Sequence, residues 1–215
     1  KCTACGVCTD WCITEARELA GKEYTVDALV KEAMKDKIFY EQSGGGVTLS
    51  GGEVMASQHM DYVEEVCRKL HENGGYTDYE NLKRILPYVD VFLYDIKVMD
   101  PEDHKKYIGV DNSLILENLK KLSDEGAGLY IRLPIIQQVN ATDEHIESVI
   151  HFLKENNIHA RQVNLLPYHD IGKGKYASLD MEYHDDEMSV PVSELMEHFK
   201  SMFEEQGFNK VNIGG

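Results

Sequence analysis

Short runs of apolar, β-branched residues alternate along this chain with segments of 3.6-residue apolar period, and that alternation restricts the fold more than any other feature. Residues 89–96, 129–134 and 163–166 read as strands, as do the short runs 47–49 and 211–213. Between them lie helical patterns. Thr25 can cap a helix whose Val26, Leu29, Val30, Ala33 and Met34 share a face. Residues 58–72 form a helix on Val63, Val66, Cys67 and Leu70, which makes Cys67 a small core residue. Shorter helices are expected over 79–86, 101–107 and 114–125. Thr142 can cap a helix carrying Ile146, Val149, Ile150 and Leu153, with Asp143 and Glu144 at its positive end. Val192, Leu195, Met196, Phe199, Met202 and Phe203 line a last helix. Strands that alternate with helices make a parallel sheet with helices outside it. At about 30 residues per strand–helix unit the chain holds at most about six units, whereas a closed eight-unit barrel takes about 250 residues. The expected fold is therefore an incomplete parallel α/β barrel.

The amino-terminal residues follow a different logic. Cys2, Cys5, Cys8 and Cys12 are spaced C-x2-C-x2-C-x3-C. Cysteines three apart are awkward to bridge as disulfides, and no second C-x2-C knuckle completes a zinc site. The spacing matches the ferredoxin-type iron–sulfur run, in which three thiolates hold one [4Fe–4S] cluster and the fourth serves another. Ile13 stands where that run usually has Pro. Zinc or reduced thiols remain the alternatives. The chain opens on Lys1-Cys2 with neither a signal-peptide pattern nor an initiator Met, so a trimmed chain or a fragment is expected. Its 22 Lys+Arg against 38 Asp+Glu give a net charge of −16, which disfavours nucleic acid as a partner. No apolar run is long enough to span a bilayer.

Ligand-binding residues of a parallel sheet gather at the carboxyl ends of its strands. That rule selects Gly51, Gly52 and Glu53, then Asp95, Ile96 and Lys97, then Arg132, and finally His169 after Tyr168. Glycines there let a ligand approach the backbone, and Glu53 could accept from a cationic amine or sit in a first helical turn. Asp95 and Lys97 fall on one side of a strand end and are either an ion pair or a ligand site. Arg132, inside an apolar strand, should face the barrel interior or a carboxylate. His169 could stack on a ligand or be merely solvated.

Taken together, Cys2 to Cys12, the string SGGGVTLSGGE over residues 43–53, Asp95-Ile96-Lys97, Arg132-Leu133-Pro134 and Leu165-Leu166-Pro167-Tyr168-His169 resemble the glycyl-radical-enzyme activating enzymes. These are radical S-adenosylmethionine (SAM) proteins related to pyruvate formate-lyase activase. The resemblance covers essentially the whole chain, and is greatest to the subgroup with a ferredoxin-like cluster insert. It implies a partial (β/α)6 barrel over residues 25–215 and a remnant of the insert over 1–24. It implies that Gly52 and Glu53, with Gly51 beside them, hold the SAM amino group, and that Asp95, Lys97 and His169 contact SAM. Ile96, between Asp95 and Lys97, and Arg132 belong to the same pocket. The implied reaction passes an electron from a [4Fe–4S] cluster to SAM, and the resulting 5′-deoxyadenosyl radical takes hydrogen from a glycine of a partner glycyl radical enzyme. A flavodoxin or ferredoxin-type reductant and a cytoplasmic, anaerobic setting follow.

Three departures stand beside the resemblance. The C-x3-C-x2-C run that binds the family's SAM-cleaving cluster does not occur in these residues. The family's strand between the helices at 58–72 and 79–86 is missing, and Val54 replaces the usual Pro after Gly-Gly-Glu. The sequence thus reads as an activase lacking its N-terminal catalytic segment and one barrel strand. The rival expectation is a non-catalytic iron–sulfur electron carrier or binding module descended from an activase, which would bind a cluster without turning SAM over. An inert α/β fragment would bind neither.

Overall fold

The computed structural model describes residues 5–14, 16, 21–43, 46–50, 54, 56–70, 79–169 and 188–214. The chain divides into two compact units, Lys1–Gly45 and Gly46–Gly215. In the first, Gly6 adopts a left-handed conformation (φ 81°) and starts a one-turn helix, α1 (Val7–Asp10). α2 (Val26–Ala33) begins where the Thr25 hydroxyl accepts from the Ala28 amide, satisfying one of the helix's orphan donors. A 3₁₀ turn, Met34–Asp36, leads into α3 (Lys37–Ser43). Neither α1, α2 nor the turn contains a buried residue.

The second unit carries the core. Its elements run α4 (Met60–Leu70), α5 (Tyr79–Ile85), β1 (Phe92–Asp95), α6 (Pro101–Ile108), α7 (Ser113–Asp124), β2 (Leu129–Ile135), α8 (Asp143–Glu155), β3 (Ala160–Pro167), α9 (Ser193–Glu205) and β4 (Val211–Ile213). The four strands pair in sequence order, all parallel. The sequence-expected helices and capping residues appear with ends moved by one or two residues, except that residues 71 and 72 of the expected 58–72 helix lie outside the described residues. Thr142 caps α8 by accepting from the His145 amide, and Asp100 caps α6 by accepting from Glu102 and Asp103.

Pleat alternation sorts the sheet into two faces. Leu129, Ile131, Leu133 and Ile135 of β2 are fully buried, with Phe92 and Tyr94 of β1 and Val163 and Leu165 of β3. They pack in one core with Leu119 and Leu122 of α7, Ile146, Val149 and Leu153 of α8, and Phe199 and Phe203 of α9. Each such side chain contributes about 1.5–3 kcal/mol by leaving water. Cys67 belongs to this core and is completely buried, as its helical stripe implies. The loop before β2 must come very close to the chain before β1. Gly128 accepts from the Phe92 amide (2.8 Å), and a Cβ there would collide with the Asp90 carbonyl and the Arg161 guanidinium.

Two expectations are corrected. The strand over 89–96 shortens to Phe92–Asp95, because a 3₁₀ turn at Leu86–Tyr88 holds the chain back and Val89 bonds to Leu86. Residues 47–49 form no strand. A strand exists only against a hydrogen-bonding neighbour, and no described residue pairs with this run, so β1 is the first strand among the described residues; residues 71–78, where the family strand is expected to be missing, lie outside them. Leu49 and Val54 still rest against the core as partly buried residues.

Candidate functional site

Cross-strand register builds a polar row on the half-buried face of the sheet. Asp95 of β1 faces Arg132 of β2, Arg132 faces Asn164 of β3, and Asn164 faces Asn212 of β4. Partners in a parallel register point to the same side, so four polar side chains stand across the sheet on the side opposite the helix-packed core. Arg132 Nε donates to Asp95 Oδ1 at 2.6 Å, which confirms the expectation that Arg132 meets a carboxylate. Both side chains are about one-third exposed (34% and 33%), so solvent screens the pair and its main effect is to fix orientation. The Gln162 side-chain amide donates to Asn164 Oδ1 at 2.6 Å. Beside this end of the row, a cleft of about 420 Å³ opens where Gln162, Asn164 and Asn212 meet Glu197 and Lys200 of α9.

The remaining predicted residues follow strand ends. Ile96 is buried and extends the β1–β2 ladder through its amide, which donates to the Arg132 carbonyl at 2.9 Å. Lys97 comes next and is exposed. Tyr168 bonds through its amide to the Ile135 carbonyl (2.9 Å), so His169, also exposed, leaves the sheet one residue later. Because all strands run the same way, Asp95 and Lys97 lie at the carboxyl end of β1 and His169 past that of β3, while Arg132 stands midway along β2 opposite Asp95. Gly51, Gly52, Glu53 and Cys2 lie outside the described residues. Burial pushes the Tyr94 phenol well above its usual range, and its hydroxyl donates to the Ile115 carbonyl (2.7 Å) on the opposite, helix-packed side.

SAM presents an ammonium, a carboxylate and a ribose diol. The carboxylate, lysine and arginine around the end of β1 and the imidazole past β3 supply complementary charges and hydrogen-bonding groups, so the chemistry of the described residues fits that ligand. Around the amino-terminal cysteines, Cys5 and Cys8 are exposed and Cys12 is half-buried. These are suitable donors for iron, yet among the described residues no three metal-ligating side chains converge. The donor chemistry fits and no ligand set is assigned.

Sequence reasoning passed over the asparagines. Asn164 is buried within the polar row, and Asn112 and Asn140 are buried beside the loop that follows β1. Their signal was present as apolar-run polarity at Asn164 alone. Asn112 and Asn140 sit in turns, where asparagine is ordinary.

No protein-family model matches the chain. It is 48% identical over 213 residues to trans-4-hydroxy-L-proline dehydratase activating enzyme of Clostridioides difficile, covering 94% of this chain and 69% of that protein. It is 33% identical over 226 residues to pyruvate formate-lyase 2-activating enzyme of Escherichia coli (strain K12), covering 100% of this chain and 76% of that protein. Among solved structures, a domain of pyruvate-formate lyase-activating enzyme from Bacteroides vulgatus matches with a TM-score of 0.66 at 28% identity, covering 80% of this chain and all of that one.

Proposed function

The chain belongs to the glycyl-radical-enzyme activating enzymes, and from that premise we propose that it forms the SAM-holding barrel of an activase that installs a glycyl radical on a partner enzyme. Enzymes of this family are radical SAM oxidoreductases that work with a [4Fe–4S] cluster and SAM. The reading is carried by the Asp95–Arg132 pair at the carboxyl end of β1, in a chain 48% identical to a named activase. When bound, the two cofactors together supply the radical that removes the glycine hydrogen, which is chemistry no side chain offers. The chain's own residues bind and orient. Glu53, preceded by Gly51 and Gly52, would accept from the SAM ammonium. Lys97 would pair with its carboxylate, Asp95 would accept from the ribose hydroxyls while Arg132 steadies it, and His169, just past β3, would pack against the ligand. Ile96 walls the pocket.

Residues 1–24 are assigned to a ferredoxin-like insert, with Cys2, Cys5 and Cys8 on one cluster and Cys12 on another, and residues 25–215 to the barrel. The chain spans about two thirds of the length of the relatives it matches, so the activity is that of the whole protein. A flavodoxin or ferredoxin-type protein serves as reductant, in the cytoplasm. An acid surface with a net charge of −16 favours neither nucleic acid nor anionic lipid as partner, and no described helix is long and apolar enough to cross a membrane.

The test uses the full-length protein, reconstituted anaerobically with iron and sulfide and given SAM, reductant and a glycyl radical enzyme. A hydroxyproline dehydratase is the first partner to try, given the relative's name. A glycyl radical doublet in the paramagnetic resonance spectrum is expected. Glu53→Ala removes a charge-assisted hydrogen bond of about 1.5–3 kcal/mol, so SAM should bind about 10- to 150-fold more weakly. Cluster assembly without SAM binding would instead support the electron-carrier reading.

A further inference from the structure

Three consecutive carbonyls beyond the end of β1, those of Lys97, Val98 and Met99, are held by buried asparagine amides. The Asn140 side-chain amide donates to the Lys97 carbonyl at 2.6 Å and to the Pro134 carbonyl at 2.7 Å. Its side-chain oxygen accepts from the Ile136 amide at 2.8 Å. The Asn112 amide donates to the Val98 carbonyl at 3.0 Å and the Met99 carbonyl at 2.6 Å. Asn140 is 3% exposed and Asn112 4%, so neither exchanges these bonds for water.

The two residues do different things. Asn112 secures the loop beyond Lys97. Asn140 joins the chain leaving β1 to the chain leaving β2, because Lys97 follows the first strand and Pro134 and Ile136 flank the end of the second. A side chain that must donate twice and accept once, across so short a reach, has to be asparagine. Aspartate would set a carboxylate against two carbonyl oxygens, and alanine would leave two buried carbonyls and an amide unmet.

We propose that Asn140 is a positioning residue of the cofactor pocket. By fixing the Lys97 carbonyl to the β2 strand end, it sets where the Lys97 ammonium stands. It touches no ligand itself. The inference rests on the assignment of Lys97 to the SAM pocket.

A double-mutant cycle on the full-length, cluster-reconstituted enzyme tests it, read as the SAM dissociation constant without reductant and as the thermal midpoint. Lys97→Ala weakens SAM binding. Asn140→Ala weakens it about 10- to 100-fold, the range for partners that orient a ligating group. The double variant binds SAM no more weakly than Lys97→Ala alone, since the asparagine acts through the lysine. Asn112→Ala, which strips two equally buried bonds, lowers the midpoint comparably yet leaves SAM affinity nearly unchanged. If Lys97→Ala binds SAM normally, the pocket assignment fails and this inference with it. If Lys97→Ala weakens binding but the Asn140→Ala loss is absent, or adds fully to it, the pocket stands and the inference is overturned. Amide exchange of the unaltered enzyme decides the matter should Asn140→Ala not fold. SAM should then slow exchange at residues 96–98 and 136–140 together, and slowing at the first segment alone would overturn the coupling.

Discussion

His145, at the third position of α8, buries its imidazole so that Nε2 finds no hydrogen-bond partner among the described residues. Desolvation pushes its pKa down to about 4, from an ordinary 6.5. Above pH 6.5 the ring is neutral in folded and unfolded chains alike and contributes no pH dependence. Between pH 6.5 and 4 the unfolded chain takes up a proton that the folded one refuses, so stability falls with pH by at most about 1.4 kcal/mol per unit. Denaturant unfolding at pH 7 and pH 5 should show that loss in the unaltered protein and much less of it in His145→Leu. Parallel losses in both would place the sensitivity elsewhere. Carboxylates act in a separate, lower window. Glu65, held down to about 2 chiefly by its hydrogen bond to Arg68, loses that contribution only as pH falls below 4.5. Tyr94 gives a pH-independent test. Tyr94→Phe removes one hydrogen bond to the Ile115 carbonyl and should cost about 0.5–1.5 kcal/mol at pH 7, seen as a lower denaturant midpoint at unchanged slope.

Elements whose cause is local were legible in the sequence. Thr25 and Thr142 announce helix starts because the capping bond spans only three residues, and the helical periodicities located Cys67, Ile146 and Phe199 on their buried faces. Thr142→Ala should therefore cost about 1 kcal/mol, measured as a shift in the thermal midpoint, and Thr142→Ser should restore most of it. Elements whose cause is distant were legible only in part, since 129–134, 163–166 and 211–213 became strands. Residues 47–49 have strand composition, but a ladder needs a neighbour, and no described residue supplies one. At the site the pattern is the same. Arg132 stood out as a charge in an apolar strand, yet its partner 37 residues earlier is fixed by the register between β1 and β2. Asn140 left no trace, because its tie to Lys97 closes a gap of 43 residues and exists only once both strand ends are in place. The polar row likewise became visible only through the pairing of four strands.

At the scale of the whole chain the two units hold together by different means. The second, Gly46–Gly215, contains every buried apolar side chain among the described residues, from Met60 to Val211. The first, Lys1–Gly45, leaves Val7, Trp11, Ile13, Ile38 and Phe39 exposed. Among its described residues no apolar side chain is buried, and a unit of this size without an apolar core needs a disulfide, a metal or a partner to order it. Its cysteine run supplies thiolate donors, so metal bound there would provide the order that burial does not. The single tryptophan makes this testable, because Trp11 lies between Cys8 and Cys12 and is 82% exposed. Its emission reports the first unit alone. Anaerobic addition of iron and sulfide to the full-length protein should quench Trp11 and slow amide exchange over residues 5–14, and a chelator should reverse both. Cooperative unfolding of the second unit, followed by ellipticity, should keep its midpoint throughout, since its core contains none of these ligands. Quenching that a Cys5→Ser, Cys8→Ser double variant retains in full would show that the iron binds elsewhere and that the first unit is ordered by something other than this run.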